Sequence, residues 1–181
     1  MYSDDNTYGI SSLECWGWNI IADRDETIDL KIGNGEVYSL NVSANNGGKG
    51  RPVLRYAESD ARAFANVLSQ MGGVPKQNVY RVTEPSVATL QSQLESLDKK
   101  LAAAKSAKGA DASSREEVLV YYSGHADEKG LRLGEEIYSW KEFRKRVDAL
   151  NADVKIAVID ACGSGAITRA KGGVAVPAFM V

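Results

Sequence analysis

At 181 residues and 44 % hydrophobic content, the chain fits one domain with a sizeable core. A formal charge of −2 gives no electrostatic basis for nucleic acid or an anionic membrane as partner, and no run is long and apolar enough to span a bilayer. The opening Met1-Tyr2-Ser3-Asp4-Asp5 is acidic and polar, unlike a signal peptide, which favours a cytoplasmic setting. Cys15 and Cys162 lie far apart and form no metal-ligand pattern with the single histidine, so both are expected reduced.

Residues 1–26 show no clear period. Ile28, Leu30 and Ile32 then alternate with polar residues, as in a half-buried strand, and Gly33-Asn34-Gly35 has hairpin-turn composition. Residues 1–35 are therefore expected to be an N-terminal extension that adds a hairpin strand to a main domain over 36–181. Val37 to Ser43 reads as an apolar strand, followed by a glycine-rich loop from Asn45 to Arg51 that ends at Pro52. Glu58 to Met71 has helical spacing of Ala61, Phe64, Ala65 and Leu68, with Ser59 or Asp60 as candidate cap and Gly72-Gly73 as terminator. A short strand is expected over Val79 to Val82. A second helix, from Ser86 to about Lys105, carries Leu90, Leu94, Leu97 and Leu101 on one face. Lys105 to Ser114 has loop composition.

Val118 to Tyr122 is the next strand, and it runs into Ser123-Gly124-His125. Gly130 to Gly134 reads as one arm of a small hairpin. Ser139 with Glu142 forms a capping-box pattern ahead of Phe143, Val147 and Leu150. Val154 to Ile159 is a further strand, and it ends in Asp160-Ala161-Cys162-Gly163-Ser164-Gly165. A last short strand is expected near Val174 to Val176. Strands alternating with helices predict a mainly parallel sheet covered on both faces.

The two strand ends carry the chemistry. If the strands are parallel neighbours, an imidazole and a thiol sit at the same sheet edge, where open α/β sheets bind ligands. That arrangement suits a thiol nucleophile with a base in reach. The small residues after Cys162 admit close backbone approach, and their amides can support an anion. Taken singly, a cysteine ending a strand is more often buried filler, and a lone histidine is more often structural. Their joint placement reverses that balance.

Tyr122-Ser123-Gly124-His125 together with Asp160-Ala161-Cys162-Gly163-Ser164-Gly165 closely resembles the caspase-like cysteine peptidases, a group that includes caspases, metacaspases, paracaspases and bacterial relatives. The resemblance covers about residues 36–173 and is closest in motif to bacterial caspase-like and metacaspase-type members. It implies a three-layer α/β sandwich with a central, mainly parallel sheet, corresponding to the large-subunit portion of the catalytic unit. It also implies Cys162 as nucleophile, His125 as general base and acid, and an oxyanion hole made by the backbone N–H groups of Cys162 and Ala126. The position of Ala126 is usually glycine in the family.

The same resemblance bears on specificity. Caspases that cleave after aspartate use an arginine before the first main helix and a glutamine two residues before the nucleophile. Here those positions hold Leu54, with Arg55 adjacent, and Asp160. Metacaspases have acids matching Asp160 and Asp60. Two carboxylates in a pocket oppose an acidic side chain and favour Arg or Lys, although Asp60 is equally well accounted for as a helix cap. The expected activity is an endopeptidase cleaving after Arg or Lys in protein or peptide substrates, without a cofactor. Calcium dependence is poorly supported, because Ala126-Asp127-Glu128-Lys129-Gly130 is shorter than the family's acidic run, and Asp127 and Glu128 read as a solvated turn. Family members continue past the nucleophile loop, so a C-terminal small-subunit segment is expected to complete the groove. Arg169 and Lys171 are candidate self-cleavage sites, with Lys105 and Lys108 as others. The rival expectations are a caspase-like scaffold or regulatory binding domain without peptidase activity, and a flavodoxin-like binding or signalling domain with Asp160 as the strand-end acid.

Overall fold

The structure, a computed structural model, describes residues 18–22, 36–107 and 115–161. Three of its strands are runs buried on both faces, the pattern of an interior parallel sheet. They are β2 (Val37–Ala44), β4 (Glu117–Gly124) and β8 (Val154–Asp160). With β1 (Trp18–Ala22) and β3 (Val79–Thr83) they form a five-stranded sheet in the order β1-β8-β4-β2-β3. All neighbours are parallel except β1, which lies antiparallel on β8. This is the expected mainly parallel α/β sandwich.

The helices cover the two faces unequally. Helix α1 (Ala57–Gln70) packs Ala61, Phe64 and Leu68 against Leu119, Tyr121, Ile156 and Val158, with the Phe64 and Tyr121 rings stacked 4.3 Å apart. Helices α2 (Val87–Ala107) and α3 (Trp140–Asp148) cover the opposite face, on Leu40, Val42, Val118, Val120, Tyr122 and Ile159. The chain order explains this division. From β2 the chain passes through α1 to β3 on one side, then returns through α2 to β4 on the other side of β2. Right-handed crossovers in opposite directions place their helices on opposite faces. The loops leaving β2 and β4 therefore diverge, and the crevice between them is the topological switch point of the sheet.

Local features follow the sequence closely. The four leucines of α2 are fully buried as one stripe. Helix α1 ends where Met71 and Gly72 N–H both bond to Val67 O, with Gly73 at φ 66°, a left-handed position that suits glycine. Ser139 caps α3 by accepting from Glu142 N–H at 3.2 Å. A three-stranded antiparallel sheet, β5 (Ala126–Asp127), β6 (Gly130–Leu133) and β7 (Glu136–Ser139), extends the hairpin expected at Gly130 to Gly134.

Three expectations are corrected. Neither Ser59 nor Asp60 caps α1. The cap residue is Tyr56, and the Ser59 hydroxyl donates to Tyr56 O at 2.7 Å, so both Ser59 and Asp60 lie in the first turn. Lys105 is not in a loop. It lies in the last turn of α2, with its Nζ 2.7 Å from Asp153 Oδ1. The segment that read as aperiodic contains β1. The strand expected over residues 28–32, the turn at 33–35, Lys108 and the strand near residues 174–176 lie outside the described residues. Among the described residues, no helix is long and apolar enough to cross a membrane.

The leucine stripe of α2 should dominate stability. Leu94→Ala is expected to cost about 2–5 kcal/mol in denaturant unfolding, because a buried cavity would open between helix and sheet. A loss under about 1 kcal/mol would contradict this packing.

Candidate functional site

The parallel pairing of β4 and β8 sets the site. Ser123 stands opposite Asp160 in the register, so the two strands end at the same edge of the sheet. His125 follows β4 by one residue, after Gly124. Its backbone is pinned on both sides of the bend, because its C=O accepts from Arg132 N–H at 2.8 Å and from the Tyr122 hydroxyl at 2.7 Å. The same hydroxyl lies 2.9 Å from Arg132 O. Burial, reinforced by the Glu84 carboxylate, pushes the Tyr122 phenol far above its usual range, so it remains a donor.

The imidazole reaches across the switch-point crevice. His125 Nε2 lies 2.8 Å from Pro52 O, on the loop that leaves β2. A carbonyl only accepts, so Nε2 carries the proton and Nδ1 holds the lone pair of the neutral ring. Gly47 of the same loop lies against the Cδ2–Cγ edge of the ring. A Cβ there would stand 2.4 Å from His125 Cδ2, closer than any side chain tolerates. Carboxylates hold this glycine-rich loop in place. Glu84 accepts from Asn45 N–H at 2.6 Å and Asn46 N–H at 3.3 Å, and Glu135 accepts from Lys49 N–H at 2.8 Å.

Ala126, next after the histidine, starts β5 opposite Leu131. The bond from Arg132 N–H to His125 O makes Ala126 and Leu131 a non-hydrogen-bonded pair. The Ala126 N–H therefore points away from β6, toward the side of β5 that no other strand of this sheet occupies among the described residues. Ala126 is not among the positive-φ residues, and its side chain packs on the core, so a Cβ is accommodated here.

On the α1 face of the sheet, Asp160 alternates in phase with Ile156 and Val158 and accepts from the Tyr121 hydroxyl at 3.0 Å. Burial raises the Asp160 carboxyl above the ordinary aspartate value. The Asp60 carboxylate in the first turn of α1 raises it further, against the opposing bond from Tyr121. Burial and the charge of Asp160 likewise push the Tyr121 phenol up. The structure thus brings Asp60 and Asp160 into electrostatic range, with no basic side chain paired to either among the described residues. Leu54 is half-buried and Arg55 exposed.

Cys162, Gly163 to Gly165, Arg169, Lys171 and Cys15 lie outside the described residues. The described chain reaches Ala161, which, like Ala126, packs against the core. A family model described as the caspase domain matches residues 39–179. The chain belongs to the caspase-domain family. The family consists of cysteine-peptidase-type hydrolases, and the match spans both strand ends. Comparison with curated proteins returns no match.

Within this caspase domain, one expectation is overturned. Asp127 is not part of a solvated turn. Its Oδ2 accepts from Arg132 Nε at 2.6 Å and lies 3.1 Å from Arg51 Nη2, and its Oδ1 accepts from Lys129 N–H at 2.9 Å. Partial burial raises its pKa, but the Lys129 N–H and the two guanidiniums outweigh that and hold it below the usual carboxylate range. Glu128 is exposed, as expected. Sequence reading also missed Pro52 and Gly47 as contacts of the imidazole. A glycine-rich stretch ending at a proline after a buried strand was the available signal, but nothing in it identified the partner.

The chain contains a single histidine, so its imidazole resonances can be assigned without ambiguity. Gly47→Ala is expected to displace those resonances and to lower stability by about 1–3 kcal/mol, as overpacking does. Unchanged imidazole shifts would contradict the close approach of Gly47 to the ring.

Proposed function

We propose that this caspase domain is a cysteine endopeptidase that cleaves after Arg or Lys through Cys162 and His125. The observation that carries the reading is the pairing of β4 with β8, which ends the histidine strand and the strand leading to Cys162 at one edge. In this reading the Cys162 thiol gives its proton to His125 Nδ1, and Sγ attacks the peptide carbonyl carbon. The imidazolium is stabilised by its Nε2–H bond to Pro52 O. The N–H groups of Ala126 and Cys162 hold the oxyanion. The His125 proton passes to the leaving nitrogen as the C–N bond breaks. Water, deprotonated by the same ring, then attacks the thioester, and the thiol is regained.

The uncompensated carboxylates supply the specificity. Asp160 and Asp60 raise the cost of placing a substrate carboxylate beside them and favour a guanidinium or ammonium. In this respect the pocket is of the metacaspase type. Protonation reports on it. Asp160 has a raised pKa in the free protein, so it becomes fully ionised only as the pH rises above the ordinary aspartate value of 3.8. Affinity for a cationic residue should therefore strengthen as the pH rises through that region, and a bound cation should pull the Asp160 pKa back down.

Reporter peptides and the full-length protein test the reading. Cys162→Ala should lower kcat/KM by roughly 10^4-fold or more, and His125→Ala by about 10^2- to 10^4-fold. Arg or Lys reporters should be preferred over Asp reporters by about a hundredfold, the scale of a like-charge penalty of several kcal/mol. KM for Arg reporters should fall as the pH rises through the acidic range, and Asp160→Asn should abolish that limb. Retained activity in Cys162→Ala, or preference for Asp reporters, would refute the reading.

A further inference from the structure

The proposed chemistry leaves one charged cluster unused. It lies on the hairpin side of His125, away from the Asp60 and Asp160 pair. Resting on the reading of His125 as the base, we propose that Asp127, clamped between Arg51 and Arg132, is a positioning residue that locks the Pro52 carbonyl onto the His125 imidazole.

Two segments 73 residues apart must be kept within hydrogen-bond distance for Pro52 O to receive Nε2–H. The loop that carries Pro52 is held at Asn45, Asn46 and Lys49 by Glu84, Gly134 and Glu135. Arg51 N–H and Leu54 N–H bond back to Gly48 O and Asn45 O, but none of these bonds involves the Pro52 carbonyl. The loop contains Gly47, Gly48 and Gly50, and the last two have positive φ. Arg51 immediately precedes Pro52, so a tether on its side chain acts on the peptide next to the accepting carbonyl. Its guanidinium also lies near Gly47 O, at 3.4 Å, and so ties back to the residue that packs against the ring.

The other end of the tether is equally close to the histidine. Asp127 is two residues past His125 in β5. Arg132 binds both, donating its backbone N–H to His125 O and its guanidinium to Asp127 Oδ2. Trp140 Nε1 donates to Asp127 O at 2.8 Å, and Lys129 N–H holds the second carboxylate oxygen. Arg132, on the same hairpin, already supplies Asp127 with a counter-charge. The second guanidinium, from Arg51, therefore does something different, since it joins the β2 loop to the β5–β6 hairpin. The side chains of Arg51, Asp127 and Arg132 are 33 %, 27 % and 15 % exposed, so this bridge is less screened than a pair in open solvent.

The test compares Asp127→Asn, Arg51→Met, Arg51→Lys, their double variant Arg51→Met/Asp127→Asn, and His125→Ala in the full-length protein. Reporter kinetics are read beside the pH dependence of Cys162 alkylation by iodoacetamide, a small neutral probe that does not need the substrate groove. Asp127→Asn and Arg51→Met are each expected to lower kcat about 10- to 100-fold, as misplacement by about 1 Å does, with KM changed less than about twofold. Each should move the alkylation profile in the same direction as His125→Ala, but less far. Arg51→Lys should recover part of the loss. The double variant should lose no more than the larger single loss, because both changes cut one tether. Thermal unfolding checks the fold, and if Asp127→Asn fails to fold, Arg51→Met, at the half-exposed end of the bridge, decides. An alkylation profile unaffected by His125→Ala would show that the dyad reading has failed, whatever Asp127 does. A profile moved by His125→Ala but unmoved by folded Asp127→Asn and Arg51→Met would overturn the positioning role. So would losses confined to KM, or losses that multiply in the double variant.

Discussion

The parallel ladder between β4 and β8 is the constraint on which the rest of this structure depends. Both strands are buried on both faces, so each is committed to an interior position in the sheet. A slip of one residue would turn Tyr122 and Ile159 from the α2 and α3 face to the α1 face, and Tyr121 and Val158 the other way. Register is therefore fixed by core packing rather than by the residues at the strand ends. Chemistry at the edge inherits that precision: Ser123 meets Asp160 because Val120 meets Ala157 further back in the same ladder.

Around His125, charge is handled in two opposite ways. On the hairpin side the Asp127 carboxylate is satisfied by two guanidiniums and a backbone N–H, and its pKa is held down. On the α1 side Asp160 has a phenol as partner and another carboxylate as neighbour, and its pKa is held up. A neutralised carboxylate can serve structure, because it has no further demand for a cation. A carboxylate left with a like-charged neighbour costs free energy in the empty protein, and an arriving cation relieves that cost. The imidazole lies between these regimes, tied by its ring to a neutral carbonyl.

Much of this architecture was legible in the sequence. The leucine spacing of α2, the paired glycines after α1 and the Ser139–Glu142 cap each encode an element by local rules, and each appears where those rules place it. The sheet edge was legible because two buried strands ended in small-residue loops. What sequence could not supply is contact between segments far apart in the chain. Pro52 and His125 carry no mutual signal, and neither do Arg51 and Asp127. Asp127 read as solvated because a short acidic run between turns usually is; Arg132 folding back along the hairpin and Arg51 arriving from another loop together change that. Asp60 read equally well as a helix cap, and the start of α1 one turn earlier removes that role. Strand β1 escaped notice because its partner, β8, lies more than a hundred residues away.

The central claim is that His125 and Cys162 work as one unit at this edge. The most direct measurement is covalent labelling of the full-length protein by a peptide ending in arginine fluoromethyl ketone, followed by intact mass and peptide mapping. A single adduct on Cys162 is expected, formed much more slowly in His125→Ala and suppressed by an arginine-terminated competitor. Labelling elsewhere, or labelling of Cys162 at an unchanged rate without His125, would contradict the account.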